Sequence, residues 1–187
     1  VADALSEYTL PIILDPVIVS TSGHRLLSVE AEEVVKQRLL PMATLITPNI
    51  PEMETLTQMS LTTLEEKCCA AEHLFGYGVK AILLKGGHEV GDTKSDILFT
   101  LSDKGTHYTI FSSDTIATRN THGTGCTLSS AIAAYIARGC DMVEAIGHAK
   151  EYVTEAIRHG ADIAIGHGFG PVNHGFNPQA MYIYESK

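Results

Sequence analysis

Three short apolar runs, separated by segments with helical periodicity, constrain the fold of this chain more than any other feature of its sequence. The runs are residues 11–15, 43–47 and 79–85, and each has the length of a buried strand. Strands that alternate with helices are joined by right-handed crossovers, which align the strands in parallel and place helices on both faces of the sheet. The sequence therefore predicts an α/β fold of three layers around a mostly parallel central sheet.

The segments between and after these runs predict the other elements. Helices are predicted at residues 28–40, from 63 to 76 or 78, at 126–138 and at 142–159, and a hairpin is predicted at 95–112. The apolar positions that mark the core-facing sides of the first and last of these helices are Ala31, Val34, Val35, Leu39, Val143, Ile146, Val153 and Ile157. Because the hairpin interrupts the alternation of strands and helices, we expect it at one edge of the sheet.

Composition and charge exclude several classes of protein. The 187 residues fit one domain, 1–187, and 44% of them are hydrophobic. A formal net charge of −9 with no Lys/Arg-rich run argues against binding to nucleic acid or to an anionic membrane. No apolar run has the length of a transmembrane helix. The four cysteines form neither a CxxC pair nor a disulfide-dense pattern, which favours reduced thiols and a cytoplasmic protein.

Polar residues end each of the three predicted strands. Asp15 ends the first, a Thr-Pro-Asn sequence at 47–49 ends the second, and a Lys-Gly-Gly sequence at 85–87 ends the third. Ligands of such sheets bind outside the carboxyl ends of the strands, so we expect these residues to converge on one site. The lone ammonium of Lys85 would favour an anion there, although a lysine emerging into solvent explains the pattern equally well. Asp15 could orient a substrate hydroxyl or merely start a turn.

The sequence HGTGC at 122–126 predicts a pocket for an anion. Gly123 and Gly125 allow successive backbone N–H groups to point into one concavity, and the helix that follows adds its own unpaired N–H groups and a partial positive charge. Cys126, at the helix start, could accept a proton or orient a substrate hydroxyl. The alternative is a glycine turn before a helix with a small buried thiol. The loop is neither a Walker A sequence nor a GxGxxG fingerprint, since Leu128 occupies the third glycine position.

The remaining candidate residues are an amide, a carboxylate and three histidines. Asn49 and Glu52 stand near the end of the second strand and could hold Mg²⁺ through water, or could simply form a turn and the first turn of a helix. His122 adjoins the glycine loop and could touch a substrate. His167 and His174 lie in the Gly- and Pro-rich tail, where a loop role is expected, and no histidine spacing predicts a transition-metal site.

Together these segments resemble one family. LDPVIVSTSG, TPNIPEME, LLKGGH, NTHGTGCTLSSAIAA and GHGFGPVNHG are similar to the hydroxymethylpyrimidine/phosphomethylpyrimidine kinases of thiamine biosynthesis, which belong to the ribokinase-like superfamily. The similarity extends along nearly the whole chain. The thiol of Cys126 is its most discriminating sign, because sugar kinases and most pyridoxal kinases of this fold place aspartate after GTG.

The resemblance implies an ATP- and Mg²⁺-dependent kinase that phosphorylates 4-amino-5-hydroxymethyl-2-methylpyrimidine and then its monophosphate. Gly123, Thr124 and Gly125 would form the anion hole for the phosphoryl group in transfer. Cys126 would face the hydroxymethyl group of the substrate, or its phosphate in the second reaction. Lys85 would neutralise the phosphates of ATP.

The resemblance also implies the other half of the site. Asn49 and Glu52 would organise Mg²⁺ and its waters, while Asp15, Val17 and His122 would border the substrate. The segment at 19–27 would resemble the flap that closes over the site. Some dual-specificity relatives carry a second cysteine in that flap, whereas this chain has Ser20 and Thr21 in that region, so the sequence does not support a two-cysteine mechanism.

The chain departs from the family at its start. Family members begin with a strand and a GSDxSGGAG-like glycine-rich segment, and the chain contains no similar segment. The resemblance is therefore to the C-terminal portion of such a kinase, with N-terminal strands missing, and a homodimer is expected because relatives are often dimers. Two alternatives stay open: a pyridoxal or dual-specificity vitamin kinase, and a non-catalytic truncated module that binds nucleotide.

Overall fold

The central sheet of the computed structural model, which describes residues 1–18, 25–87 and 91–183, has five strands. They are β1 (Ile13–Leu14), β2 (Leu45–Ile46), β3 (Ala81–Leu84), β4 (Thr93–Ser102) and β5 (Gly105–Asp114), and they lie in the order β1-β2-β3-β4-β5. The strands β1, β2 and β3 are parallel to one another, whereas β4 is antiparallel to both β3 and β5. The sheet is therefore mixed, and the hairpin β4–β5 lies at one edge, as predicted.

Helices occupy segments before, between and after the strands. They are α1 (Ala2–Leu5), α2 (Val29–Val34), α3 (Ile50–Thr57), α4 (Leu64–Phe75), α5 (Thr124–Ala137) and α6 (Met142–Arg158). Side chains cap four of them: Ser28 caps α2, and capping boxes begin α3 at Asn49, α4 at Thr63 and α6 at Asp141. In the described part of the chain, no helix is long and apolar enough to cross a membrane.

Two hydrophobic clusters show that the fold has three layers. One cluster joins Ile46, Ile82 and Phe99 of the sheet to α3 and α4, and the other joins Leu83 and Leu98 to α5 and α6. Successive residues of a strand point to opposite faces, so neighbours such as Ile82 and Leu83 enter different clusters. The predicted α/β architecture with helices on both faces of the sheet is confirmed.

The segment after Ser28 differs from its prediction. The α-helical part is short and continues as a π-helix at Val35–Leu39. Its buried side chains include Glu32 and Lys36, which form an ion pair of 2.9 Å, while Val34 is exposed. An apolar pattern could not predict this face, because a carboxylate and an ammonium become buried only when they pair with each other.

The predicted core face of α6 is wrong at its first position. Val143 lies in the first turn and is exposed, whereas Ile146 and Val153 are buried. The strands β1 and β2 are also shorter than the apolar runs that predicted them, since each has two residues.

Candidate active site

The carboxyl ends of the three parallel strands bring Asp15, Thr47 and Lys85 together. The ammonium of Lys85 donates to Oδ1 of Asp15 at 2.7 Å, and the hydroxyl of Thr47 donates to the same oxygen at 2.9 Å. Only 14% of each side chain of the Lys85–Asp15 pair is exposed. The backbone of Lys85 is held as well, because its N–H donates to the carbonyl of Pro48 at 2.8 Å. The predicted convergence is confirmed, and the Lys85 ammonium is paired with Asp15 instead of emerging into solvent.

The N-terminus of α5 meets this pair. Gly123 is the N-cap residue and has a left-handed backbone with φ of 88°, which glycine adopts without strain. Gly125 already lies in the helix, and a Cβ built on it would be 3.4 Å from Nζ of Lys85 and 3.8 Å from Oδ2 of Asp15. The absence of a side chain at Gly125 therefore leaves the space between the helix and the ion pair.

Two backbone N–H groups at the start of α5 form what we call the anion cup: those of Gly125 and Cys126. The backbone N–H groups on either side already have acceptors: that of Thr124 donates to the Thr121 carbonyl at 3.3 Å, and that of Thr127 donates to the Gly123 carbonyl at 2.9 Å. Among the described residues, neither amide of the cup has an acceptor. Unpaired N–H groups at a helix N-terminus attract an anion. The helix begins two residues earlier than predicted, because Gly123 takes the N-cap and Thr124 is already helical.

Cys126 is the third residue of α5, and its side chain is exposed. The structure therefore excludes a buried structural thiol, which was the alternative left by the sequence. His122 is also exposed, and its backbone N–H donates to the carbonyl of Gly170 at 3.0 Å. Val17 is 40% exposed beside Asp15. The predicted flap at 19–27 falls largely outside the described residues.

Asn49 and Glu52 form the capping box of α3. Oδ1 of Asn49 accepts the N–H of Glu52 at 2.8 Å, and Oε2 of Glu52 accepts the N–H of Asn49 at 2.8 Å. Glu52 is buried, and the same oxygen lies 3.9 Å from Nζ of Lys85. Burial is the largest cause that raises the pKa of Glu52 above its ordinary 4.5; the Asn49 N–H and Lys85 oppose this shift, and the Asp15 carboxylate adds to it.

Asn49 and Glu52 therefore cap α3, and the same contacts place the Glu52 carboxylate beside Lys85. No group of three or more His, Cys, Asp or Glu side chains is arranged to hold a metal ion within the described ranges. Direct coordination by a cage of protein ligands is therefore not offered by this part of the chain.

Residues that the sequence did not identify hold the start of α5, where the anion cup lies. The Thr127 hydroxyl donates its single hydrogen to the Gly123 carbonyl at 2.7 Å, so Nε2 of His174, 2.9 Å away, donates to the Thr127 oxygen. Asn120 is buried and donates to the carbonyls of Gly160 and Ile163, both at 2.7 Å. The glycine-rich composition of the tail was a signal for such close backbone contacts, but it could not identify the partners.

Comparison with known proteins places this geometry in a family. The family model described as phosphomethylpyrimidine kinase matches residues 1–173, which is most of the chain. The chain belongs to the phosphomethylpyrimidine kinase family. The thiamine biosynthesis bifunctional protein ThiED of Geobacter sulfurreducens is 45% identical over 175 residues, which cover 93% of this chain and 34% of that protein.

Solved structures agree with this assignment. Phosphomethylpyrimidine kinase from Clostridium difficile 630 is 36% identical with a TM-score of 0.69, over 83% of this chain and 62% of that one. Pyridoxal kinase from Staphylococcus aureus in complex with AMP-PCP is 29% identical with a TM-score of 0.81, over 93% of this chain and 62% of that one. The ribokinase-like α/β fold is thereby confirmed. The chain spans from about a third to less than two thirds of the length of these proteins.

Proposed function

We propose that the protein is an ATP-dependent kinase that phosphorylates 4-amino-5-hydroxymethyl-2-methylpyrimidine and then its monophosphate, as a step of thiamine biosynthesis. The observation that carries the proposal is the anion cup, whose two unpaired amides lie at the start of α5, where a Cβ on Gly125 would be 3.4 Å from the Lys85 ammonium. Membership of the phosphomethylpyrimidine kinase family gives the substrate class.

The anion cup and Lys85 would bind the phosphate groups. Phosphoryl transfer requires positioning and stabilisation of spreading negative charge, and preorganised backbone N–H groups supply both. The acidic chain gains a local positive potential from the amides of Gly125 and Cys126 and from Gly123 and Thr124 at the start of the α5 dipole. The Lys85 ammonium lies beside them, paired with Asp15, and could donate to a phosphate as well. A phosphate would use the space that a Cβ at Gly125 would fill, so the residues fit the ATP phosphates.

Asn49 and Glu52 would hold Mg²⁺ through water. Their oxygens suit this cation, and two of them already accept backbone N–H groups, so contact through waters fits the site better than direct coordination. The cation would supply positive charge to the phosphates when it is bound. Burial raises the pKa of Glu52, and a nearby cation would favour its charged form.

The acceptor would lie on the exposed side of the anion cup. Cys126 would face the hydroxymethyl oxygen, or the phosphate in the second reaction, and Asp15 and Val17 would border the pyrimidine ring with His122 at the rim. The Asp15 carboxylate is held by Lys85 and Thr47, so its position is fixed before a substrate arrives.

An acceptor assay on the complete gene product tests this function. ATP with Mg²⁺ is supplied together with the hydroxymethylpyrimidine, its monophosphate or pyridoxal, and ADP release and product mass are measured. We expect transfer to both pyrimidines and little to pyridoxal. Faster transfer to pyridoxal would instead support the pyridoxal or dual-specificity kinase, which the TM-score of 0.81 to a pyridoxal kinase keeps as the second candidate. Binding of ATP without transfer to any acceptor would support a non-catalytic module.

Three further expectations belong to this proposal. We propose that residues 1–187 lie in one kinase domain, that the protein acts as a homodimer, and that it is cytoplasmic without nucleic-acid or membrane partners. The free cysteines support the cytoplasmic location, and the net charge of −9 argues against nucleic-acid and membrane partners.

A further inference from the structure

Asp96, on β4, lies outside the residues assigned to the site but contacts the turn that carries Lys85. Its Oδ1 accepts the backbone N–H of Gly86 at 3.0 Å, and Gly86 directly follows Lys85. Its Oδ2 accepts from the ammonium of Lys150, on α6, at 2.7 Å. Both side chains are largely buried, with 9% of Asp96 and 11% of Lys150 exposed.

The bond to Gly86 completes the backbone support of Lys85. The strand β3 ends at Leu84, so the N–H of Gly86 has no partner in the β3–β4 ladder, whose last pair is Leu84 with Ile97. Gly86 is buried, and a buried N–H without an acceptor is costly. The turn is therefore fixed on one side by the bond from Lys85 to the Pro48 carbonyl and on the other by the Asp96 carboxylate.

A purely structural link between β4 and α6 would not require charge. Burying an ion pair costs desolvation that an apolar pair of similar volume avoids. The carboxylate provides an acceptor for the Gly86 N–H, which an apolar side chain cannot provide. Lys150 compensates the charge that this acceptor brings into the core.

We propose that Asp96 is a positioning residue, which holds the Lys85 ammonium at the anion cup through the Gly86 amide, and that Lys150 serves as its counter-ion. The kinetic part of this inference rests on the proposed kinase function. Loss of the Gly86 acceptor would let the turn shift, and the ammonium would then leave its place beside Gly125 and Asp15. The effect should be larger on the nucleotide phosphates than on the pyrimidine, because Asp15 would lose Lys85 but keep the hydrogen bond from Thr47.

Two double variants of the complete gene product separate positioning from charge. Asp96→Asn with Lys150→Met removes both charges and keeps an oxygen for the Gly86 N–H. Asp96→Val with Lys150→Met also removes both charges but provides no acceptor. We expect the Asn double variant to keep its KM for ATP and its Kd for ADP, and the Val double variant to weaken both about five- to tenfold, the factor of a lost backbone hydrogen bond. The KM for the pyrimidine should stay unchanged in the Asn double variant and should rise less than the KM for ATP in the Val double variant, because Thr47 still holds Asp15.

A second readout does not depend on catalysis. The rate at which an amine-reactive ester labels Lys85, measured by peptide mass spectrometry, should rise in the Val double variant and stay at the wild-type rate in the Asn double variant. If the Val variant does not fold, Asp96→Ala with Lys150→Met takes its place.

Equal ADP affinity and equal Lys85 labelling in the two double variants would overturn the inference, even if their melting temperatures differ. A protein that lacks the proposed kinase function would give a different result. The wild-type protein would then transfer no phosphoryl group to the pyrimidine, while the labelling of Lys85 would still decide whether Asp96 positions it.

Discussion

Gly125 and Gly123 are separated by one residue at the start of α5, yet they have different reasons to be glycine. Gly123 needs its left-handed backbone, and a Cβ there would meet nothing within 4 Å. Gly125 has an ordinary helical backbone, but its Cβ would approach Lys85 and Asp15. We therefore predict that Gly125→Ala lowers kcat/KM for ATP about tenfold or more without loss of stability, since alanine favours a helix.

Gly123→Ala is the matched control for that prediction. Alanine at position 123 should destabilise the protein by about 1–2 kcal/mol, because the backbone there is left-handed. For the stability that it loses, it should weaken ATP binding less than Gly125→Ala does. Urea unfolding and ATP kinetics on both variants make the comparison. Unchanged kinetics in Gly125→Ala would show that the space between α5 and Lys85 is not used by a phosphate.

The thiol of Cys126 is exposed, so its removal tests chemistry with little effect on folding. We predict that Cys126→Ala lowers kcat about a hundredfold, the order that a positioned proton acceptor contributes, with an unchanged melting temperature. Cys69→Ala, which removes another exposed cysteine from α4, is the control and should leave kcat unchanged. Wild-type turnover in Cys126→Ala would remove the thiol from the mechanism.

Glu52 should couple stability to pH. Burial raises the pKa of its carboxyl in the folded state above the ordinary value of 4.5, so the folded protein binds the proton more tightly than the unfolded chain does. The protonated Glu52 carboxyl therefore stabilises the folded state fully below pH 4.5. This stabilisation is lost as the pH rises through the pKa of Glu52 in the folded protein. We predict that the free energy of unfolding of wild type falls relative to Glu52→Gln as the pH rises from 4.5. Denaturant titrations across this range measure the difference, and parallel curves would contradict it.

At the scale of elements, three helices begin with the same capping box, and only one of these boxes lies at the site. The boxes pair Asn49 with Glu52, Thr63 with Glu66, and Asp141 with Glu144. We predict that Asn49→Ala, Thr63→Ala and Asp141→Ala each cost about 1 kcal/mol of stability. Only Asn49→Ala should also raise the KM for ATP, because it alone disturbs the carboxylate beside Lys85. An equal KM for ATP in all three variants would show that the Asn49–Glu52 box only caps its helix.

These elements also show what the sequence could and could not predict. The helix starts at Ser28, Thr63 and Asp141 and the alternation of strands with helices follow from local patterns, because capping and hydrophobic periodicity act over a few residues. The burial of the Glu32–Lys36 pair and the bond from Asp96 to Gly86 could not be predicted. The spacing of Glu32 and Lys36 favours a pair on any helix, but only the tertiary fold buries it, and only the tertiary fold brings Asp96 to Gly86.

At the scale of the molecule, the site is assembled from segments far apart in the chain, and the tail is one of them. Asn120 precedes the glycine loop and is held by the carbonyls of Gly160 and Ile163, while the His122 N–H donates to Gly170. A Cβ on Gly170 would lie 2.0 Å from Oδ1 of Asn120, a distance that requires the amide to move.

We therefore predict that Gly170→Ala costs about 1–3 kcal/mol of stability, as an overpacked contact does, and raises the KM for ATP, because the displaced Asn120 shifts the start of α5. Gly168→Ala is the matched control, since a Cβ there meets nothing within 4 Å and its φ is not positive. Denaturant unfolding and ATP kinetics on both variants provide the measurement. A loss of stability in Gly170→Ala with wild-type kinetics would show that the tail supports the fold but does not set the position of the anion cup. Equal behaviour of the two variants would show that Asn120 can move without consequence. The predicted result would instead tie nucleotide binding at the sheet edge to a contact made some 45 residues further along the chain, as the numbering of Gly125 and Gly170 gives.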